Sequence, residues 1–353
     1  MITKEKINEI VKGYDSKKIK IATLCSHCAL QLFHGARAEG IKTIGICTPE
    51  RKKVYDSFSQ AAPDEYLLVD DPKEAFAGGV DEELLKKNAI LVPHGSLVEY
   101  SGNALMEIKV PIVGNRNSLL WERDRQKMFE WMKEAKLQLP KIIKPEEIDR
   151  PCIVKFPGAK GGRGYMAVNS YEEFERKVKD REGVMVQEYL AGIRIYPHYF
   201  YSPISKEGYR ASEGSVELMG VDRRYESNVD EIYRPLSAGM SIQPSFTVVG
   251  NEPIVLRESL LGEILEIGKN VVEAAERMFG GIPGPFCIET VCDENLQFYA
   301  FEISSRIVAG TNLYPRGSPY SVYAYKEEMS MGRRIAREIK LAAKEKKLHK
   351  IVY

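Results

Sequence analysis

The sequence lacks both an excess of one charge and a long apolar run. Its 51 lysines and arginines nearly cancel its 50 aspartates and glutamates, and no stretch reaches 18 consecutive apolar residues. The first absence removes any general attraction to nucleic acid, and the second predicts no membrane-spanning helix. The amino end, MITKEKINEIVKG, predicts an amphipathic helix ending at Gly13 rather than a signal peptide. We therefore expect a cytoplasmic protein of about two domains, with no nucleic acid or membrane partner.

The cysteines lack the paired spacing of a zinc or redox site. Cys25 and Cys28 form a C-x-x-C, but the other four cysteines occur singly: Cys47, Cys152, Cys287 and Cys292. Structural zinc needs a second pair of ligands with suitable spacing. We expect reduced, mostly buried thiols.

The first ~115 residues alternate strand-like and helix-like segments, which predicts a doubly wound parallel sheet. The predicted strands are 18–26, 42–48, 65–71, 89–95 and 111–114, with a helix over 27–40. No G-x-G-x-x-G follows the first strand, so an NAD-type dinucleotide site has little support. Ligands of such sheets bind beyond the carboxyl ends of the strands, where Ser26-His27 and His94-Gly95-Ser96 fall.

From Asn115 the pattern predicts one long helix, and a proline-rich connection then leads to a second unit. That unit begins with VKFPGAKGGRGYMAV (154–168), whose apolar flanks predict paired strands around a glycine-rich tip. It is not a Walker A loop, because G-x-x-x-x-G-K-[ST] is absent from the chain. Backbone N–H groups at glycines, beside lysines, suit phosphate, although such a turn can also be only a turn.

The strand VMVQEYLAG (184–192) has Glu188 at its exit, a suitable position for adenine and ribose. Further on, PFCIETVCDENLQFYAFEISSR (285–306) predicts a hairpin around DENL. If Cys292 opposes Gln297, then Glu289 opposes Ala300 and lies diagonal to Glu302 on one face. The other face carries the core side chains Ile288, Tyr299, Phe301 and Ile303. The carboxylate pair suits Mg²⁺ with phosphate oxygens; the alternative is a solvated pair on an exposed strand.

Two further segments are expected to be structural. His198, within the aromatic YPHYFYSP, is expected in a buried strand, and the tail RRIAREIKLAAKEKKLHK is expected to form a solvated amphipathic helix.

The order of a glycine-rich hairpin, a Q-E-Y-L segment and paired glutamates ending in E-x-S-x-R resembles the ATP-grasp superfamily. More closely, nearly the whole chain is similar to the archaeal formate-dependent 5-formaminoimidazole-4-carboxamide ribonucleotide (FAICAR) synthetases of purine synthesis. The similar segments include LCSHCALQLFHGARAEG, PHGSLVEYSG, KFPGAKGGRGY, VDRRYESN, VVGNEPIVLRESLL and FEISSRIVAGTN. One departure is Ser304, where the superfamily commonly has a metal-binding asparagine.

The resemblance implies a Rossmann-like domain (1–120) followed by an ATP-grasp domain (121–353), with a flap subdomain over about 121–190 and a metal and substrate subdomain over about 191–340. The implied reaction uses ATP and formate to convert the aminoimidazole carboxamide ribonucleotide (AICAR) to FAICAR in de novo IMP synthesis. Mg²⁺ or Mn²⁺ is the expected metal. We also expect a homo-oligomer.

The resemblance further assigns residues to roles. It puts His27, Ser96 and Asn251 on AICAR, Glu226 on ATP, and Glu289 and Glu302 on the metal. The ATP pocket would also include Gly161, Gly162, Gly164, Gln187, Glu188, Tyr189 and Leu190. We assign Lys155 and Lys160 to phosphates, and Arg306 to the transferring phosphate or formate. Two alternatives stay open: a ligase with another carboxylate or amine, and a non-catalytic nucleotide-binding paralogue.

Overall fold

The computed structural model describes residues 1–74, 76, 79–160, 163–180, 182–242, 245 and 247–353; for residues 74, 157–160 and 163–165 only the backbone is described. Helix α1 (Lys4–Lys12) begins at the Thr3 cap and is followed by Gly13, as predicted. Among the described residues, no helix combines the length and apolar character needed to cross a membrane.

The first sheet is parallel, which confirms the predicted fold of the amino-terminal part. Its order is β3-β2-β1-β4, formed by β1 (Lys20–Leu24), β2 (Lys42–Cys47), β3 (Glu65–Leu68) and β4 (Ala89–Leu91). The helices around it are α2 (Ala29–Ala38), α3 (Pro49–Asp56), α4 (Val80–Lys86) and α5 (Gly95–Ser101).

The predicted strand at 111–114 forms only two isolated bridges, Leu91 with Ile112 and Val113 with Val352. The segment lies between β4 and the last residues of the chain, since Ile112 exchanges backbone hydrogen bonds of 3.2 and 2.9 Å with Tyr353. Gly114 then takes a left-handed conformation with φ of 101°. The positive φ ends the extended segment after only three residues.

The long helix predicted from Asn115 is two helices, α6 (Arg116–Arg123) and α7 (Arg125–Glu134). Asp124 breaks it because its backbone is extended and its carboxylate accepts the N–H groups of Gln126 and Lys127. An aspartate that caps a new helix in this way competes with continuation of the old one.

A second, antiparallel sheet carries the flap. It has the order β6-β5-β7, from β5 (Cys152–Lys160), β6 (Arg163–Val168) and β7 (Met185–Glu188), with α8 (Tyr171–Lys177) packed beside it. The pairing of β5 with β6 confirms the predicted hairpin. The glycine-rich tip at 161–162 lies outside the described residues.

The large sheet has the order β11-β10-β8-β12-β13, and β9 pairs with β10. Its strands are β8 (Ile193–Ser202), β9 (Tyr209–Ala211), β10 (Gly214–Glu226), β11 (Val248–Pro253), β12 (Gly284–Cys292) and β13 (Phe298–Ser304). Helix α9 (Tyr233–Ser237) lies between β10 and β11. Helix α10 (Leu261–Phe279) buries an apolar face, with Ile264, Val271 and Val272, in the same core as Ile288 and Ile303.

The carboxyl-terminal helices are α11 (Pro319–Ala324) and α12 (Met331–Lys344). The expectation of a solvated tail helix is wrong: α12 packs on α2, and Arg334 and Glu338 are buried as an ion pair of 2.8 Å. Arg334 also pairs with Glu217 of β10 at 2.8 Å. These partners let charged positions of the helix point into the protein.

Candidate active site

The carboxylate pair sits on β12 and β13, but its register differs from the prediction. Cys292 faces Phe298 rather than Gln297, and Glu289 directly faces Glu302 rather than Ala300. The turn causes the first difference: Asp293 pairs with Gln297, and its carboxylate accepts the N–H groups of Asn295 and Gln297 at 2.9 Å. A register shift beyond Thr290 then leaves one extra residue on β13 and brings the two glutamates opposite each other.

The extra residue is Phe301, which the sequence had placed on the core side. It instead packs with Tyr196, Cys287 and Val308, beside the glutamates. The bulge and the shifted turn register change which side chains alternate into the core, so the predictions for Tyr299 and Phe301 are wrong. Phe298 and Ala300 are in the core instead, and Ile288 and Ile303 are there as expected.

Glu289 and Glu302 are not a solvated pair on an exposed strand. Glu289 is 6% exposed, and Arg224 of β10 donates Nη2 to its Oε1 at 2.6 Å. Burial and the nearby Glu289 raise the pKa of Glu302 to about 7. The raised pKa shows that holding two charged carboxylates together here is unfavourable. A divalent cation would offset their repulsion, so the pair suits a metal site. The described residues offer no group of three or more His, Cys, Asp or Glu ligands, so phosphate or water oxygens would have to complete the coordination.

Lys155 of β5 brings the flap hairpin to this pair. Burial lowers its pKa to about 8, against the opposing effect of Glu302. Its Nζ lies 5.5 Å from the centre of the Phe301 ring. Lys160 and Gly164 fall within β5 and β6, where only the backbone is described, and Gly161 and Gly162 fall outside the described residues. Their assignments stay predictions.

The predicted adenine segment forms β7 and the residues after it. Gln187 is buried, and Glu188 accepts the N–H of Lys141 at 2.8 Å, while the Tyr189 side chain is 48% exposed and Leu190 is half-buried. Glu226, at the end of β10, pairs with Arg194 of β8. Whether these residues hold ATP stays a prediction.

His27 and Ser96 lie at the carboxyl edge of the first sheet, where the sequence predicted ligand contacts. His27 has a positive φ of 58°, and its ring stacks on that of His94 with centroids 5.2 Å apart. Ser26 Oγ donates to Ser96 Oγ at 3.2 Å. His94 accepts the N–H of Leu97 at Nδ1 and contacts the Leu24 carbonyl through Nε2, which makes it the neutral Nε2–H tautomer.

Both imidazoles are held neutral. Burial lowers the pKa of His94 to about 4, and burial together with His94 lowers the pKa of His27 well below its ordinary value. His27 therefore offers a neutral ring at neutral pH, able to donate or accept a hydrogen bond but carrying no charge.

Arg306 follows β13 and approaches the first sheet. A Cβ at Gly95 would lie 2.9 Å from His27 Nε2 and 3.4 Å from Arg306 Cζ, so the glycine lets the two side chains meet. Arg306 pairs with Glu122 of α6 at 3.1 Å, and Glu122 also accepts the Ser305 N–H at 2.8 Å. Glu122 thus fixes the segment that carries Arg306.

Asn251 of β11 lies across the ladder from Arg224 and donates its amide N–H to Asp222 at 2.6 Å. A 3₁₀ helix, Ala309–Leu313, connects this region to the first sheet, since Asn312 donates to the His27 carbonyl at 3.0 Å. The structure therefore brings the predicted metal and nucleotide residues to one region, where β10, β12 and β13 meet the first sheet.

Comparison with known proteins decides the family. The chain is 50% identical to the 5-formaminoimidazole-4-carboxamide-1-(beta)-D-ribofuranosyl 5'-monophosphate synthetase of Methanococcoides burtonii, over 100% of both chains. The chain belongs to this FAICAR synthetase family.

Other comparisons agree with membership in the FAICAR synthetase family. Two family models match, a domain of unknown function (DUF1297) over 171–353 and a protein of unknown function (DUF1246) over 21–143. The crystal structure of an IMP biosynthesis protein PurP from Thermococcus kodakaraensis is 30% identical, with a TM-score of 0.74, over 94% of this chain and 100% of that one.

A more distant likeness shows the fold alone. The biotin carboxylase domain dimer of the Hydrogenobacter thermophilus 2-oxoglutarate carboxylase, in complex with MgADP, ADP and bicarbonate, is 17% identical with a TM-score of 0.61, over 90% of this chain and 69% of that one. The predicted ATP-grasp fold of the FAICAR synthetase family is confirmed.

Sequence reasoning did not single out Asp222 and Arg224 of β10 or Arg194 of β8, which connect the site. The resemblance alone assigns Glu226 of β10, and His198 of β8 was expected only in a buried strand. Together with Tyr196, these residues form one set on each strand. Each set is spaced two residues apart, so each lies on one face of its strand. That alternation was readable in IRIYPH and VDRRYE. The partners across the strands were not, because they depend on the order of strands in the sheet.

Proposed function

We propose that this chain formylates AICAR with ATP and formate, through formyl phosphate, and releases FAICAR, ADP and phosphate for IMP synthesis. The observation that carries the proposal is that Lys155 lies near the facing Glu289 and Glu302, while Arg224, which is bonded to Glu289, and Arg306 both lie near enough to His27 to lower its pKa, in a member of the FAICAR synthetase family. Lys155 and the two glutamates suit the phosphates of a nucleotide with a metal ion, and Arg306 and His27 suit a second substrate.

The chemistry explains why ATP is needed. Formate is an unreactive carboxylate, and the 5-amine of AICAR is a weak nucleophile because its lone pair is delocalised into the imidazole. Transfer of the γ-phosphoryl group to a formate oxygen makes the formyl carbon electrophilic. The amine then attacks that carbon, the C–O bond to phosphate breaks, and the amine loses a proton.

Glu289 and Glu302 would hold Mg²⁺ or Mn²⁺ on the ATP phosphates. The bound cation would neutralise the negative charge of the phosphates during phosphoryl transfer. The likeness in fold to a domain crystallised with MgADP supports this proposal. Ser304 is buried at the end of β13, pairs with Cys287, and replaces the asparagine common in the superfamily. Water is the proposed substitute for that ligand.

The remaining roles follow from charge and position. Lys155, with Lys160 of the hairpin, would bind phosphate oxygens, and the hairpin would cover the intermediate and exclude water. Arg306 would bind the formate or the transferring phosphoryl group, because a guanidinium suits either. His27, neutral, half-buried and stacked on His94, would recognise AICAR as a hydrogen-bonding group, together with Ser96 and Asn251. We also expect a homo-oligomer, a cytoplasmic location, and the domain division at residue 120.

Two measurements test the proposal. ADP release should require ATP, formate, AICAR and a divalent metal together when each is omitted in turn. With ¹⁸O-formate, label should appear in inorganic phosphate and in the formamide, because one oxygen leaves with phosphate and the other stays. Unlabelled phosphate would contradict formyl phosphate. Turnover with another carboxylate or amine, or nucleotide binding without turnover, would contradict the assigned reaction.

A further inference from the structure

A buried acid–imidazole pair lies behind Asn251. Asp222 Oδ1 is 2.7 Å from His198 Nε2, and both side chains are almost fully buried. His198 is in a buried strand, as the sequence predicted, but its ring faces a carboxylate. Although burial alone would raise it, the neighbouring His198, Arg224 and Asn251 lower the pKa of Asp222. The aspartate is therefore charged at neutral pH.

The second oxygen of Asp222 determines how the Asn251 amide is turned. Asp222 Oδ2 is 2.6 Å from Asn251 Nδ2. A carboxylate can only accept hydrogen bonds, so the NH₂ group of the amide must face it. The amide oxygen lies on the other side of the same planar group and is directed away from Asp222.

The surroundings leave this arrangement little freedom. A Cβ at Gly310 would lie 2.4 Å from Asp222 Oδ1 and 2.7 Å from His198 Nε2, so the 3₁₀ helix closes directly over the pair. The same helix holds the His27 loop through Asn312. Across the ladder Asn251 pairs with Arg224, which is bonded to Glu289. Asn251 is thus connected to the metal carboxylates through Arg224, and the helix over Asp222 connects to the first sheet through Asn312.

We propose that Asp222, supported by His198, is a positioning residue that directs the Asn251 oxygen at an N–H group of AICAR, either its 5-amine or its 4-carboxamide. This inference rests on the proposed function. An asparagine without such a partner can rotate its amide and present either a donor or an acceptor. Fixed by Asp222, it presents an acceptor only, which favours a ligand with an N–H over one with an oxygen at that place.

The test is a charge swap between the two residues. Asp222→Asn should raise the KM for AICAR about tenfold or more, because the amide is no longer oriented, and Asn251→Asp should do the same by placing two carboxylates together. The double variant restores one carboxylate and one amide, with an oxygen again facing the ligand. It should recover an AICAR KM within about threefold of the wild type. The KM for ATP should stay within about twofold throughout, and Asp149→Asn, an exposed acid, is the matched control.

Three results would overturn the inference: an unchanged AICAR KM in Asp222→Asn, a swap no better than the single variants, or equal losses for ATP. If the buried substitutions do not fold, the wild type still gives an answer. We would compare AICAR with two analogues, one with a carboxylate in place of the carboxamide and one with hydrogen in place of the 5-amine. The wild type should bind at least one analogue about tenfold more weakly than AICAR. If it binds both analogues as tightly as AICAR, Asn251 does not present an acceptor to either group. Failure of the proposed function would instead appear as no AICAR- and formate-dependent ADP release by the wild type.

Discussion

At the scale of single residues, the site depends on charges that the protein holds in unfavourable surroundings. Glu302 faces Glu289 across a strand pair, and one arginine, Arg224, bonds Glu289 directly. A buried pair of like charges costs stability, and such costly pairs occur most often at functional sites. Binding of a cation on phosphate is the purpose that we assign to it.

Glu302→Gln tests the metal assignment by replacing one carboxylate oxygen with an amide NH₂ group. We expect turnover to fall by about a thousandfold or more, because loss of a ligand removes charge stabilisation needed in the transition state. The protein should still fold, since the change relieves repulsion. Mn²⁺ binding in the presence of ADP, followed by electron paramagnetic resonance, should weaken in parallel. Glu294→Gln, at an exposed position of the adjoining turn, should behave as the wild type; normal turnover in Glu302→Gln would contradict the role.

His94 should make the protein sensitive to acid. Its pKa is about 4 in the folded protein, against about 6.5 when unfolded, so the unfolded chain binds the extra proton between these values. The stabilisation that neutral His94 gives the folded protein is present above pH 6.5 and is lost as pH falls toward 4. The loss in the free energy of unfolding amounts to about 2 kcal/mol at pH 5.

His94→Asn keeps a cap for α5 and removes the titrating ring. Its free energy of unfolding, from urea titrations at pH 7 and pH 5, should therefore fall less with acid than that of the wild type. Equal acid sensitivity in the two proteins would show that His94 is not the group responsible.

At the scale of elements, the site forms where β10, β12 and β13 meet the carboxyl edge of the first sheet. Gly95 begins α5 at the point where His27 and Arg306 approach each other. Gly95→Ala should push these side chains apart by a few tenths of an ångström and raise the AICAR KM several-fold, roughly 1 kcal/mol of binding. Steady-state kinetics with each substrate varied should show little change for ATP. Glu99→Ala, exposed on the same helix, is the control; an effect on ATP alone would contradict this map.

The sequence predicted elements better than their junctions. Alternation and glycine-rich turns were enough to predict the parallel sheet, the flap hairpin and the strands of the glutamate pair. The exact opposition of Glu289 and Glu302 was not predictable, because it depends on the Asp293–Gln297 closure and a bulge at Phe301. Likewise, the break at Asp124 depends on a cap that competes with helix continuation, and only the folded chain shows which prevails.

At the scale of the whole molecule, α12 returns the chain to the first sheet and packs on α2. The contact is close: a Cβ at Gly35 would lie 2.1 Å from Arg333 N, and one at Gly332 would lie 2.4 Å from the Gln31 carbonyl oxygen. The two helices therefore touch backbone to backbone at a pair of glycines. Separating them would disturb the first sheet and the large sheet together, because α12 also bonds to β10 through Arg334.

Gly35→Ala sets two effects against each other. Alanine favours a helix by about 1 kcal/mol, but overpacking this contact should cost about 3 kcal/mol or more. We expect a net loss of about 2 kcal/mol in the free energy of unfolding, measured by urea denaturation. Gly262→Ala, in α10 with no atom within 4 Å of the added Cβ, should be neutral or slightly stabilising. A Gly35→Ala protein as stable as that control would contradict the close helix contact.

The bonds between Ile112 and Tyr353 also bear on the order of events during synthesis. The ribosome makes the first sheet early, yet the segment beside β4 receives its last hydrogen bonds from residues made more than two hundred positions later. Until Tyr353 has left the exit tunnel, the backbone groups of Ile112 that face it must be satisfied by water. The segment beside β4 should therefore become fully protected from protease only after Tyr353 has emerged, although most of the first sheet is made much earlier.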